Sequence, residues 1–280
     1  MQKRVLAVHD ISCVGRCSLT VALPILSAAG LETSILPTAV LSTHTGEFTG
    51  YTFRDLTCDI MPIAEHWKSL DLHFDAIYTG YLGSFEQIAL VSRLIDMFKS
   101  DNTVVLSDPA MADNGVLYAG FQPEFTKGMA SLCAKADIVI PNLTEAAFML
   151  GRDYRESGYS EADIKELLRA LTELGPRIAV LTGITFQEGT LGTAAYDAKA
   201  DKYCRYFDEK IDGFFHGTGD VCASAFLAAY MNGKGLQHSL ETAVRFTLES
   251  IRRTKENGTE NRYGVDFENS LPSLMKEVKA

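Results

Sequence analysis

Long apolar runs are missing from this chain of 280 residues, although 46% of its residues are hydrophobic. Its longer runs, such as Val5 to Val8, fall far short of the roughly 20 residues that a membrane-spanning helix needs. Lys3 and Arg4 precede only this short stretch, which is too short for the apolar part of a signal peptide. We therefore expect no membrane-spanning segment and a cytoplasmic location.

Basic residues are outnumbered, because 26 Lys and Arg stand against 36 Asp and Glu and give a formal net charge of -10. This charge argues against nucleic acid as a partner. An anionic ligand such as a nucleotide would need a local device to hold it, for example backbone amides or a bound cation.

Several motifs are also missing. The six cysteines include no C-x-x-C pair and no partner histidines at zinc spacing, which favours reduced structural thiols. The first predicted strand is not followed by G-x-G-x-x-G, which argues against a dinucleotide-dependent oxidoreductase. The absence of G-x-x-x-x-G-K-[ST] excludes a Walker-type NTPase as far as a motif can exclude one.

Short β-branched runs alternate with longer amphipathic ones, which is typical of parallel strands joined by helical crossovers. We therefore predict an α/β fold. The predicted strands are Arg4 to His9, Ser34 to Leu41, Ala76 to Thr79, Thr103 to Ser107, Asp137 to Ile140 and Ile178 to Thr182, with Gly192 to Tyr196 and Tyr203 to Phe207 as an antiparallel hairpin. The predicted helices are Leu19 to Ala29, Phe85 to Lys99, Pro123 to Cys133, Thr144 to Leu150, Glu161 to Leu174, Asp220 to Met231 and Ser239 to Lys255.

No repeat, low-complexity tract or linker interrupts this alternation, so we predict a single domain over residues 1–280. Two segments fit the alternation poorly, residues 42–58 and residues 112–122. Loops of this length are often lids over a site. The tail, residues 257–280, is polar with a late helical fragment, and we expect it to serve packing or subunit contact.

The strongest chemical signal is the run F-H-G-T-G-D, Phe215 to Asp220, which leads directly into an apolar helix. Two glycines let backbone amides converge at a helix N-terminus, where the unpaired N–H groups and the helix dipole attract anions. Asp220 then has two interpretations. It is either a helix cap, which the motif alone favours, or a base that takes a proton from a hydroxyl attacking phosphorus.

Polar side chains follow three further predicted strands. Asp108 and Asp113 follow one, Asn142 and Glu145 follow the next, and Thr182 ends the third. Ligands bind at the carboxyl ends of strands in open α/β sheets, and oxygen groups of this kind suit Mg²⁺. The alternative is structural, because an Asn cap followed by Glu three residues later also completes a capping box.

In combination these motifs resemble the ribokinase-like small-molecule kinases and, within them, the pyridoxal kinases. The likeness covers the chain from about the first strand to the last long helix. Its motifs are G-T-G-D at 217–220, D-P-x-M-x-D-N-G at 108–115, P-N-x-T-E at 141–145, S-T-H-T-G at 42–46 and G-Y-L-G-S at 80–84.

The resemblance implies a three-layer, doubly wound, mostly parallel sheet with helices on both faces. Residues 42–58 would form a small β flap over the site, and residues 112–122 an active-site loop. The implied activity is ATP-dependent phosphorylation of the 5'-hydroxymethyl group of pyridoxal, pyridoxamine or pyridoxine. Mg²⁺ or another divalent cation would assist, and the enzyme would be a homodimer.

The resemblance also assigns roles to residues. Asp220 would be the general base, and Gly217, Thr218 and Gly219 would hold the transferring phosphoryl group. The residues on the ATP side would be Asp108, Asp113, Asn142, Glu145 and Thr182, with Asp108 and Glu145 reaching Mg²⁺ through water. The residues on the vitamin side would be Asp10, Ser12, His44, Thr45 and Tyr81.

Some positions depart from the family pattern or keep a second interpretation. Asp10 stands about where the family commonly has Ser, with Ser12 two positions on, so either could meet the ring. His44 could instead be a hydrogen-bonded loop histidine, and Tyr81 a core aromatic. Related hydroxymethylpyrimidine kinases usually carry Cys where this chain has Asp220, and we expect its Cys222 to pack inside the helix.

Two alternative functions stay open. A kinase for hydroxymethylpyrimidine or a sugar would share the catalytic end and differ at the flap. A non-catalytic nucleotide or vitamin sensor would keep the pockets but would need no base, and Asp220 argues against it.

Overall fold

Strands and helices alternate through residues 2–279, which are the residues that the computed structural model describes. The strands are β1 Arg4–Ser12, β2 Glu32–Leu41, β3 Phe53–Asp55, β4 Ala76–Thr79, β5 Val104–Ser107, β6 Ala112–Asp113, β7 Val116–Leu117, β8 Ile138–Val139, β9 Ile178–Ile184, β10 Thr190–Asp197 and β11 Lys202–Glu209. The helices are α1 Leu19–Ala28, α2 Thr57–Ser69, α3 Phe85–Phe98, α4 Phe125–Cys133, α5 Leu143–Met149, α6 Glu161–Glu173, α7 Thr218–Met231, α8 Leu236–Asn257 and α9 Leu271–Lys279. The chain divides into two compact units, which we call unit one, residues up to 77 and from 211 onward, and unit two, residues 78–210.

Unit one is built around β1, whose residues Val5 to Val8 are completely buried. β1 pairs in parallel with β2, and β3 pairs antiparallel with β2. Helices α1, α7, α8 and α9 pack against one another in this unit. Nearly every residue of α7 after Asp220 is buried, so this helix is apolar on all sides and lies inside the unit.

Unit two contains the second half of β4, followed in the sheet by β5, β8, β9, β10 and β11. The register is parallel from β5 through β8 to β9, and β10 and β11 continue antiparallel as the predicted hairpin. Strands β6 and β7 form a separate small hairpin. The predicted α/β class with mostly parallel strands is confirmed, and the single-domain prediction stays a prediction.

The structure corrects the predicted elements at three places. β1 continues past His9 to Ser12, because an irregular register between His9 and Ile11 lets it keep pairing with β2. Residues 42–58 are not all loop, since they contain β3 and the start of α2, a helix that the sequence analysis missed. Residues 112–122 contain the β6–β7 hairpin, whose turn residues Asn114 and Gly115 have φ of 48° and 78°. No helix within residues 2–279 is long and apolar enough to cross a membrane.

Candidate active site

The N-terminus of α7 places Asp220 at the third helical position. The capping residue is Gly217, in the left-handed conformation, and the helix start has no side-chain cap. The Asp220 carboxylate instead accepts a hydrogen bond from the backbone N–H of Ser18, at 2.9 Å. The interpretation of Asp220 as the helix cap is therefore wrong, and its carboxylate faces a different segment of unit one.

The surroundings of Asp220 alter its acidity. The residue is half-buried, yet enough protein surrounds its carboxylate that desolvation raises the pKa to about 7. The Ser18 N–H opposes this shift, and the charge of Asp10 adds to it. A carboxyl with this pKa exchanges its proton readily near neutral pH, which suits a general base.

Asp10 and Ser12 lie close to this carboxylate in the last part of β1, and both are buried. The Ser12 hydroxyl donates to the Asp10 carboxylate at 3.3 Å, and burial raises the pKa of Asp10. Burial, followed by the charges of Asp220 and Asp10, also raises the pKa of the Cys17 thiol well above its usual value. Cys17 is therefore a neutral thiol and not a nucleophile.

Glycine is required at position 217 for two reasons. Its φ is 74°, which L side chains rarely adopt, and a Cβ there would lie 2.0 Å from the carbonyl oxygen of Arg16. Gly219, by contrast, has open space around it. Thr218 donates its hydroxyl to the Phe215 carbonyl at 3.1 Å, which shapes the turn before the helix. The first amides of α7 thus lack a side-chain acceptor, and such amides bind anions.

His44 is buried, and both of its ring nitrogens have partners. Nε2 bonds to the carbonyl oxygen of Arg262, and Nδ1 accepts from the N–H of Gly46 at 3.1 Å. Burial lowers the pKa of His44, so the ring is neutral with its proton on Nε2. This pattern favours a hydrogen-bonded loop histidine, while Thr45 beside it is exposed.

In unit two the capping box, which the sequence analysis gave as the structural alternative, is present. Asn142 caps α5 by accepting from the N–H of Glu145 at 2.9 Å, and Glu145 Oε2 accepts from the N–H of Asn142 at 2.9 Å. Glu145 Oε1 accepts from Met111 N–H at 3.1 Å, and the Asn142 amide donates to the Ala112 carbonyl at 2.8 Å. The pair therefore holds the loop that follows β5. Burial raises the pKa of Glu145 to about 8, despite these hydrogen bonds.

The other predicted residues of unit two lie at strand ends or in the loops that follow them. Asp108 is buried just past β5, and its N–H donates to the Thr79 carbonyl at 2.8 Å. Asp113 is half-buried in the β6–β7 hairpin, with its carboxylate accepting from the next N–H along the chain. Thr182 is hydrogen-bonded to the carbonyl of Pro141, directly before Asn142. Tyr81 is half-buried, and its ring stacks with Phe121 at 5.6 Å between centroids.

The acidic residues can be tested against the requirements of Mg²⁺. Residues 2–279 contain no group of three or more His, Cys, Asp or Glu side chains placed to hold a metal ion. Mg²⁺ does not require one, because it usually binds through one or two carboxylates, water and substrate phosphates. The carboxyl oxygens of Asp108 and Glu145 are hard donors of this kind, and those of Glu145 also accept backbone N–H groups, so a contact through water suits it better than direct coordination.

The predicted site residues thus form two groups. Unit one brings together Asp10, Ser12 and the segment Gly217 to Asp220, with His44 beside His216 at 5.0 Å between ring centroids. Unit two brings together Asp113, Asn142 and Glu145, with Asp108 and Thr182 at its strand ends. The sequence analysis missed Ser18. Its φ of 55° is unusual for a residue other than glycine, and no local sequence signal marks it.

Comparison with known proteins shows that this chain is similar to small-molecule kinases. The family model for phosphomethylpyrimidine kinase matches residues 35–264. The crystal structure of a putative phosphomethylpyrimidine kinase from Bacteroides thetaiotaomicron is 39% identical with a TM-score of 0.94, and the match covers 98% of this chain and 94% of that one. A second crystal form of that protein contains pyridoxal.

Pyridoxal kinases are also similar over nearly the whole chain. The structure of pyridoxal kinase from Lactobacillus plantarum is 28% identical with a TM-score of 0.90, over 99% of this chain and 98% of its own. A pyridoxal kinase from Granulibacter bethesdensis is 24% identical over 266 residues, which is 91% of each chain.

Proposed function

We propose that Asp220 is the general base of this enzyme. The chain belongs to the phosphomethylpyrimidine kinase family and is a phosphotransferase with an alcohol acceptor. The reaction is the ATP-dependent phosphorylation of vitamin B6 at its 5'-hydroxymethyl group. The observation that carries the proposal is the Asp220 carboxylate, which is held by Ser18 at an N-terminus whose capping residue has no side chain.

Asp220 accepts the proton of the vitamin's hydroxyl as the oxygen attacks the γ-phosphorus of ATP. The new O–P bond forms while the bond from the γ-phosphorus to the bridging oxygen of ADP breaks. Phosphoryl transfer needs little covalent work from the protein, so positioning and charge neutralisation dominate. The amides at Gly217, Thr218 and Gly219 stabilise the transferring group, because unpaired N–H groups at a helix start attract its negative charge.

The acidic and amide residues of unit two serve the nucleotide side in this proposal. When bound, Mg²⁺ or another divalent cation neutralises phosphate charge. Asp108 and Glu145 would hold it through water. Asn142 and Glu145 keep the loop after β5 in place by the hydrogen bonds described above. Asp113 and Thr182 complete the polar surface on the ATP side.

On the vitamin side, the proposed contacts are Asp10, Ser12, His44, Thr45 and Tyr81. The Ser12 hydroxyl already donates to Asp10. The Asp10 carboxylate is therefore the better candidate to accept a hydrogen bond from a donor group on the pyridine ring. The His44 nitrogens are occupied, so His44 would contribute its ring face and the position of its loop.

A hydroxymethylpyrimidine is the second candidate substrate, because the matching family model is that of phosphomethylpyrimidine kinase, whose named substrate is a related pyrimidine. A substrate panel separates the two. ATP-dependent phosphorylation is measured with pyridoxal, pyridoxamine, pyridoxine, hydroxymethylpyrimidine and ribose. We expect the B6 vitamers to have the highest kcat/KM, and a preference for hydroxymethylpyrimidine or ribose would contradict the assignment.

We also propose that the enzyme works in the cytoplasm as a homodimer. Its resemblance to kinases that are often dimers supports the homodimer, and its similarity to pyridoxal kinases is in keeping with the cytoplasm. Sedimentation at micromolar protein concentration tests the dimer, and a monomer under those conditions would contradict it.

A further inference from the structure

The turn between β1 and α1, residues 13–18, is fastened by backbone hydrogen bonds to three separate segments of unit one. Cys13 N–H donates to the Leu41 carbonyl at 2.8 Å, and Arg16 N–H donates to the Tyr263 carbonyl at 3.0 Å. The third bond is the one from Ser18 N–H to Asp220. Ser18 has φ of 55° and ψ of -127°, and such backbone conformations persist only where the surroundings hold them.

Arg16 links this turn to the segment that follows α8. Its Nη1 lies 2.8 Å from Asp266 Oδ1, and its Nε lies 2.7 Å from Glu268 Oε1. The Asp266 side chain is only 8% exposed, whereas that of Glu268 is 51% exposed. The ion pair with Asp266 is therefore the one shielded from solvent, and exposed pairs contribute little.

Asp266 is itself held from several sides. Its Oδ2 accepts from Asn257 Nδ2 at 2.8 Å and from Thr259 Oγ1 at 2.7 Å. Its backbone N–H donates to Thr254 Oγ1 at 2.8 Å. These contacts fix Asp266 to the last turn of α8, so Arg16 is attached to a rigid element.

The main chain of Arg16 also supports the start of α7. Its carbonyl oxygen lies so close to Gly217 that a Cβ there would be 2.0 Å away, and it would lie 2.7 Å from a Cβ on Gly264. A displacement of Arg16 would therefore disturb both the amide that binds Asp220 and the capping residue of its helix.

From this geometry we propose that Arg16 is a positioning residue for the reaction, which fixes the Ser18 N–H on Asp220 through its ion pair with Asp266. The inference rests on the proposed role of Asp220 as the base. Arg16 does not touch the reacting atoms in this account. It sets the direction of the carboxylate and the strength of its hydrogen bond with the Ser18 N–H.

The acidity of Asp220 supplies a readout for this role. Two groups bear on its carboxyl, the charge of Asp10 in β1 and the N–H of Ser18, and the thiol of Cys17 in the turn lies close enough for the Asp220 charge to raise its own pKa. The Ser18 bond lowers the pKa of Asp220, against the larger effect of burial. Weakening this bond raises the pKa of Asp220. The acid limb of the activity profile then moves to higher pH, because Asp220 stays protonated up to a higher pH.

The test compares Arg16→Gln and Arg16→Lys with Arg4→Gln as the matched control. Arg4 forms a similar ion pair with Glu32 at 2.8 Å and is 31% exposed, against 28% for Arg16. We expect Arg16→Gln to lower kcat for pyridoxal about 10-fold, with KM for ATP within about 2-fold. The acid limb of its pH profile should move up by about half a pH unit. Arg16→Lys keeps a cation for Asp266 and should recover most of the loss, while Arg4→Gln should behave as the unaltered enzyme.

Amide hydrogen exchange at Ser18 provides a measurement independent of turnover. We expect faster exchange in Arg16→Gln and protection in Arg16→Lys. Wild-type kcat in Arg16→Gln would overturn the proposal, as would a fall in kcat that leaves the acid limb in place and is not recovered by Lys. Failure of the proposed function looks different, because Asp220→Asn would then keep wild-type kcat.

Discussion

The N-termini of α5 and α7 invite comparison, because each carries an acid at the third helical position. In α5 the acid is Glu145, whose two oxygens accept backbone N–H groups from Asn142 and Met111. In α7 it is Asp220, which accepts one hydrogen bond among residues 2–279, from Ser18. Burial raises the pKa of both, to about 8 and about 7.

The capping residues explain the difference. Asn142 fills the start of α5 with its own side chain, and a capping box results. Gly217 has no side chain, so the first amides of α7 remain available to an anion and the oxygens of Asp220 are not used by its own helix. An acid at the third helical position is thus bonded within the start of its own helix in α5, whereas in α7 it faces another segment of the chain.

Removal of the Asp220 carboxylate should have the largest effect on activity and tests whether the acid of α7 serves in the reaction. We expect Asp220→Ala and Asp220→Asn to lower kcat by ~10²-fold or more, because a positioned base contributes about that much. ATP binding should stay largely intact, as measured by nucleotide titration. Turnover within a few-fold of the unaltered enzyme would remove Asp220 from the role of base.

A pair of glycine substitutions tests whether the start of α7 binds an anion. Gly217→Ala should lower the free energy of unfolding by about 1–3 kcal/mol, because it forces a side chain into left-handed backbone. Gly219→Ala has open space in the fold and should leave stability unchanged or slightly higher. Its kcat should nevertheless fall, since the added methyl meets the incoming phosphoryl group. Full activity in Gly219→Ala would show that no phosphoryl group approaches that surface.

The corresponding substitution in α5 should act mainly on stability. Glu145→Gln leaves one of two buried N–H groups without an acceptor, and we expect the free energy of unfolding to fall by about 1–3 kcal/mol. The Mg²⁺ requirement should rise, and an unchanged magnesium titration would count against its place at the cation. Urea unfolding with both proteins measures the first effect.

The pH dependence of the free energy of unfolding tests the raised pKa of Glu145. The pKa of folded Glu145, about 8, lies above the usual 4.5, so the folded chain binds more protons between these values. Its contribution to stability is therefore complete below pH 4.5 and is lost as the pH rises through 8. Glu145→Gln should lack this part of the slope, and an identical slope in both proteins would contradict the assignment.

The sequence predicted much of the fold, because hydrophobic period and helix ends are local properties. The strands β4 and β5 and the β10–β11 hairpin lie at or within a few residues of their predicted bounds. Helix α2 was missed, since Pro62 lies inside it and a proline usually interrupts a helical pattern. The extension of β1 depends on pairing with β2, which no window of sequence reveals.

In the candidate site, too, local features could be predicted from the sequence and tertiary contacts could not. The capping box of Asn142 and Glu145 was the structural alternative that the spacing allowed, and it is present. The partner of Asp220 could not be predicted, because Ser18 lies 202 positions away in the chain. The contact of Gly217 with Arg16 likewise depends on the tertiary fold. Local patterns therefore gave candidate site residues, and not what each one contacts.

The most direct test of the central claim is the pH profile of kcat/KM for pyridoxal in the unaltered enzyme. Asp220 must be ionised to accept a proton, and its pKa is about 7. Activity should therefore rise with pH along an acid limb centred near 7 and then level off. A profile that stays flat from pH 5.5 to 8.5, about 1.5 pH units either side of that value, would contradict the account.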